Sequence, residues 1–154
     1  MSRAGVVAAA LAVAVTVASC GSPYPGSTLG QQVRSWARTT GLAASLQALQ
    51  ADGGRLPRVE AEHDPAAVRT ACDVLVQDAL AANQNLPAPD ARLTSVLSAA
   101  YAAAAAAGRD CLRSAGGGAG LAASATELSR AATGYVKAQA RLDDLDATGS
   151  GASS

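Results

Sequence analysis

Three cysteines, Cys20, Cys72 and Cys111, are the most reactive side chains in this 154-residue sequence. A thiol can be acylated, oxidised to a disulfide or used as a nucleophile, and its compartment and neighbours decide which. No two of them form the Cys-x-x-Cys of a redox pair. The single histidine, His63, sits among Glu60, Glu62 and Asp64. Such a set can be imagined holding a metal or moving a proton. Metal centres, however, draw several donor types into convergent geometry, and one imidazole is a thin start. Carboxylates just ahead of a helix also have an ordinary role, facing the positive end of its dipole. Asp143, Asp144 and Asp146 lack the length and the glycine of a calcium loop. The glycines of residues 116–120 are not followed by the Lys-Ser/Thr of a phosphate-binding loop. No Ser-His-Asp set is readable, and Trp36, Tyr101 and Tyr135 read as core aromatics. The expectation is a protein without catalytic residues, cofactor or metal.

Cys20 closes a segment with three parts. Ser2-Arg3 is a short charged start, residues 4–17 are uncharged and rich in Val and Ala, and Val17-Ala18-Ser19-Cys20 follows. This is the plan of a secretory signal peptide. The apolar run is about 15 residues, short of the roughly 20 needed to span a bilayer. Val17-Ala18-Ser19-Cys20 resembles the lipobox of bacterial lipoproteins, a resemblance confined to the first twenty residues or so. It implies a diacylglycerol thioether on Cys20 and cleavage just before it by a peptidase that reads Val17, Ala18 and Ser19. It also implies a mature chain anchored in membrane lipid on the outer face of the cell membrane. Two acyl chains hold stably where one holds only marginally. On this reading residues 1–19 are a cleaved leader, and residues 20–27, rich in Gly, Ser and Pro, are a lipidated tether.

With Cys20 acylated, Cys72 and Cys111 remain as an even pair in a compartment where disulfides persist. Val68, Ala71, Cys72, Leu75, Val76, Ala79 and Leu86 recur at the spacing of one helical face. Leu93, Val96, Leu97, Ala100, Ala104, Ala107 and Cys111 do the same further on. Leu86-Pro87-Ala88-Pro89 turns the two helices into an antiparallel hairpin. At 1.5 Å per residue, Cys72 lies about 21 Å from the hairpin end and Cys111 about 31 Å. The pair therefore meets only if the proline-rich linker climbs about 10 Å, within reach of three or four extended residues. A Cys72–Cys111 disulfide is expected.

These cysteines need helices to position them, and the composition favours helices. Apolar residues make up 49% of the chain, most of them Ala, with no Phe, and Ala is the best helix former. A first helix is expected from Thr28 to Asp52. Its early apolar residues Leu29, Val33 and Trp36 lie nearly opposite its later ones, Leu42, Leu46 and Leu49. Either Gly41 kinks it or it is buried on two sides. Gly53-Gly54 should stop it, and residues 55–63 should form a connector. Asp64-Pro65 opens the second helix as N-cap and first-turn proline. Asp90 caps the third, which should end at the glycines 116–118. The fourth starts near Leu121 or at the capping-box pattern of Ser124 and Glu127. Its apolar stripe reads Leu121, Ala125, Leu128, Ala132, Tyr135, Gln139 and Leu142, fading at Leu145. Residues 148–154 read as a disordered tail.

The expected fold is all-α: an antiparallel up-down bundle of about four helices over residues 28–147, with one inter-helix disulfide. A three-helix core with a loosely docked first helix is the alternative. Formal net charge is +0, which gives no basis for nucleic-acid binding. The Arg, Ala and Gly usage suits a high-G+C genome, and the general plan is similar to small Ala-rich helical lipoproteins of actinobacteria. That likeness carries no active site. Two functions follow as expectations. One is a non-catalytic, lipid-anchored module that binds another cell-envelope protein or component through an exposed apolar or mixed patch, with the first helix, whose two apolar faces exceed what one core needs, as the candidate place for it. The other is a carrier for a lipid or small apolar ligand, which calls for a dry, Leu- and Val-lined cavity of several hundred Å3.

Overall fold

The computed structural model describes residues 26–114 and 119–150, apart from the side chains of 119–121, 149 and 150. The leader 1–19, the lipobox with Cys20, the tether up to residue 25, the glycines 116–118 and residues 151–154 lie outside the described residues. The described elements are all helical: α1 (Leu29–Thr39), α2 (Leu42–Ala61), α3 (Pro65–Gln84), α4 (Ala91–Ser114) and α5 (Ala119–Ser150).

The described residues form five helices where about four were expected, because the first helix breaks at Gly41. Its φ of +65° and ψ of 34° are left-handed, a region that glycine enters without steric cost. The break reorients the chain so that both expected faces turn inward. Val33 from α1 and Leu42, Leu46 and Leu49 from α2 are all buried. Leu29, at the start of α1, stays 41% exposed. The Trp36 indole N–H donates to the Asn85 carbonyl at 3.1 Å, tying α1 to the α3–α4 linker.

A second departure is the length of α2. It runs straight through Gly53-Gly54 and on past Pro57 to Ala61, so residues 55–61 are helix and not connector. Two glycines and a proline cost a helix interior about 5 kcal/mol together. Leu56 and Val59, each 6% exposed, continue the buried stripe of Leu42, Leu46 and Leu49. Burying two such side chains returns roughly 3–6 kcal/mol, enough to offset the propensity. The chain leaves α2 through His63, whose φ of +55° is left-handed.

From α3 onward the expected elements form largely as read. The Asp64 carboxylate caps α3, with Oδ1 accepting from the Ala66 and Ala67 N–H groups at 2.9 and 3.2 Å. Contacts join α2 to α3, α3 to α4 and α4 to α5, while α1 packs against α5 and α2. Sitting between two neighbours, α4 is buried on most of its surface, from Leu93 through Tyr101 and Ala104 to Cys111, with one exposed stripe through Arg92, Ser95, Ala99, Ala102 and Arg109. The expected stripe of α5 needs rotation. Ser124, Ala131, Tyr135, Ala138 and Leu145 are buried, whereas Ala125, Ala132 and Gln139 are exposed. The helix also starts at Ala119, so Ser124 is an interior residue and not a cap, and Glu127 pairs with Arg130 at 2.6 Å. At the other end α5 reaches Ser150, through the first part of the expected tail.

One ion pair locks α4 to α5. Asp90, 6% exposed, accepts from the Leu93 N–H at 2.6 Å, capping α4. The same carboxylate accepts from Arg141 Nη2 at 2.7 Å and Nε at 3.2 Å. The Arg141 hydrogen bonds hold the Asp90 carboxyl below its ordinary value, burial opposes them, and the Leu93 N–H lowers it further. A carboxylate whose folded pKa is lowered contributes stability above its unfolded pKa and loses it as pH falls through the folded value. The wild-type stability advantage over Asp90→Asn should therefore be complete near neutrality, begin to fall near the ordinary carboxylate value of about 4, and be lost only as pH drops through the lower folded value. Denaturant titrations of both proteins across that range measure it, and a pH-independent difference would exclude this role.

Candidate functional site

The expected cysteine pair comes together. Cys72 in α3 and Cys111 in α4 are fully buried, their Cα atoms are 5.9 Å apart and their sulfurs lie at bonding distance, within the range of a disulfide. The linker between the helices does the positioning. The Thr94 hydroxyl accepts from the Ala88 N–H at 2.9 Å and lies 3.1 Å from the carbonyl oxygens of Ala88 and Asp90. Next to the pair, α4 presents Gly108, where a Cβ would stand 2.9 Å from the Cys72 carbonyl oxygen. The two backbones meet there with no side chain between them.

Glu60, Glu62, His63 and Asp64 do not converge. All four are exposed. His63 Nδ1 is 2.8 Å from the Ala61 carbonyl oxygen, and Asp64 is used as a cap. Among the described residues no three His, Cys, Asp or Glu side chains are grouped to hold a metal ion. Asp146 pairs with Arg34 at 2.8 Å and Asp143 accepts from Gln139 at 3.0 Å, so this acidic run serves helix contacts.

A carboxyl pair that the sequence did not flag joins α2 to α3. Burial raises the Asp52 carboxyl above its ordinary value, the neighbouring Asp78 carboxyl raises it further, and Arg55 pulls it partly back. Its Oδ2 is buried without a partner. A raised carboxyl weakens the fold above its folded pKa, and the penalty is relieved as pH falls through that value. Asp52→Asn should therefore melt higher than wild type at neutral pH, with the gain shrinking on acidification. A gain that persists unchanged in acid would mean the charge is not its source.

Several hollows remain as candidate binding surfaces, among them a shallow one of about 280 Å3 between α2 and α3 beside Asp78. One is an open groove of about 670 Å3 along α4 and α5. Its floor is Val96, Ala99, Ala103 and Gly134, and Arg130 and Lys137 stand at its edge. Gly134 lets the helices approach closely, since a Cβ there would be 2.6 Å from the Ala100 Cβ. A second open groove, about 620 Å3, crosses the Arg34–Asp146 pair where α1 and α2 meet α5. A further hollow, about 190 Å3, lies between α2 and α5. None of these is a closed apolar cavity of several hundred Å3, and the two large grooves are walled chiefly by Ala and polar residues. The sequence carried a faint signal for the first groove: Gly134, alone inside an otherwise helical pattern, marks a close backbone approach.

No family model, no curated protein and no solved structure matches this chain. No helix among the described residues is long and apolar enough to cross a membrane.

Proposed function

We propose that the protein is a lipid-anchored, extracytoplasmic helical module without catalytic activity that binds another cell-envelope protein through the α4–α5 groove. Cys20 carries the lipid after removal of residues 1–19, residues 20–27 form the tether, and an up-down bundle carries the binding face. The supporting observation is the groove itself. It is long, open and floored by side chains no larger than Val, a shape that admits a helix or extended segment and encloses no small molecule. Small floor residues let a partner backbone approach closely, and Lys137, beside the Glu127–Arg130 pair, adds a cation at the edge. Val136, on the same helix as both, is 70% exposed.

Two experiments test the two halves of this reading. Intact mass of protein purified from the membrane should show cleavage before Cys20 and a diacylglycerol adduct on it. An unmodified Cys20 there overturns the anchor. Cross-linking in intact cells should capture one abundant envelope protein, and Ala102→Glu should abolish the capture. Ala102 lines the groove and is exposed, so the variant should melt like wild type. Capture unaffected by Ala102→Glu would move the binding face elsewhere.

A further inference from the structure

The groove face of α4 and α5 is left uncovered by the other helices, yet it is not dressed as a solvated surface. Between Arg92 and Arg109 the exposed positions of α4 are Ser95, Ser98, Ala99 and Ala102, with no charge among them. A helix face turned to water ordinarily carries charged and polar side chains. The charges of the groove all come from α5: Glu127, Arg130 and Lys137. Glu127 pairs with Arg130 at 2.6 Å. Lys137 is exposed and joins none of the ion pairs among the described residues. Glu127 and Lys137 are ten residues apart, about 15 Å along the helix. That is beyond a pair on one helix, which joins residues three or four apart.

We propose, on the reading that this groove is a docking face, that its occupant is a second copy of the same chain, with α5 antiparallel to α5 about a two-fold axis at Ala132. Ala132 lies midway between Glu127 and Lys137. Each Glu127 then faces Lys137 of the second copy, and symmetry makes the contact twice. Arg130 crosses Gly134 of the second copy, where no side chain stands in its way. The charges select this register. A slide of one helical turn one way sets Arg130 against Lys137 of the second copy, and one turn the other way sets it against its own copy. A parallel pair would face Glu127, Arg130 and Lys137 each with itself. Next to this contact, Ser129, Thr133 and Val136 form a ridge at helical spacing on α5. They are exposed, Val136 by 70%, and the ridge fits the small residues Ser95, Ala99 and Ala102 on α4 of the second copy. A face about 28 Å long and two helices, about 20 Å, wide covers on the order of 1,100 Å2 over both copies. That is the low end for a specific interface, suited to a dimer of modest affinity.

Cysteine cross-linking of the full chain in intact cells tests this. Thr133 and Ala123 are both exposed, so substitutions there leave the fold alone. About the axis at Ala132, residue 133 lies only about 3 Å along the helix from its own copy, and residue 123 about 27 Å. Under mild oxidation Thr133→Cys should give a disulfide-linked dimer and Ala123→Cys none, whereas a parallel pair would link both. Adding Lys137→Glu or Glu127→Lys to Thr133→Cys turns two attractions into two repulsions and should slow the linking roughly tenfold. Making both exchanges in one chain should restore it. Since the two positions cannot pair within one helix, such recovery requires contact between copies. No more linked dimer from Thr133→Cys than from Ala123→Cys overturns the second copy as occupant. So does linking that ignores the single exchanges, or that the double exchange fails to recover. If Thr133→Cys gives no dimer while Ala102→Glu still abolishes capture of a different envelope protein, the docking face stands and the second copy is excluded from it.

Discussion

Replacing Cys72 and Cys111 together by Ala lowers the stability of the protein by about 4 kcal/mol, the loop-closure contribution of a bridge across roughly 40 residues. The two positions are 39 apart in sequence. For a domain of this size that is a fall of about 15 °C in melting temperature. The effect is large because the rest of the core is poor in bulk. The largest fully buried side chains are Leu75, Leu93, Leu97 and Val33, and many of the other buried positions are Ala, which adds little apolar area. Total stability for such domains is about 5–15 kcal/mol, so the bridge carries a substantial share. Thermal melts of wild type and the double variant measure it. Reductant alone is a weaker test, since both sulfurs are shielded from solvent. Equal melting temperatures, or two thiols titrating at 72 and 111 in unfolded wild type under oxidising conditions, would eliminate the bridge.

Gly108→Val is expected to destabilise by about 3 kcal/mol, at the upper end for overpacking. A Cβ at this position would sit 2.5 Å from Val76 Cγ2 and 2.9 Å from the Cys72 carbonyl oxygen. Val76 can change rotamer, but the carbonyl is backbone, and the adjoining Cys72–Cys111 pair holds it in place. Relief must come from moving α3 and α4 apart, which opens the core around Leu75 and Ala104. Gly54→Val is the control: it is also a glycine inside a helix, but its Cβ meets nothing within 4 Å, and it should be nearly neutral or mildly stabilising. Denaturant midpoints for the two variants separate steric overpacking from helix propensity. Similar midpoints would mean that the close approach at Gly108 does not constrain the fold.

The local chemistry of the chain was enough to place several features. Asp64 and Asp90 cap the helices they precede, because an N-cap is a bond between one side chain and N–H groups two or three residues on. Cys72 and Cys111 fall on buried faces, because helical periodicity is also local and Leu75, Leu93 and Leu97 mark those faces unambiguously. The all-helical class follows from the same pattern.

Three features needed the tertiary structure. The face of α5 was ambiguous because Leu128, Tyr135 and Leu142 belong to two neighbouring stripes. Ala on both flanks gives no hydrophobic signal to choose between them. Packing against α4 selects Ala131, Ala138 and Leu145 over Ala132 and Gln139; weighing Leu145 against Gln139 would have pointed the right way. Gly53-Gly54 and Pro57 read locally as the end of a helix, and burial of Leu56 and Val59 overrides them. Asp52 beside Asp78 joins residues 26 positions apart. In sum of causes, short-range hydrogen bonding and helical period fix helices, caps and cysteine faces from sequence alone. Only the relative placement of the helices decides which side of an alanine-rich surface is buried, where backbones touch, and where the core stays open.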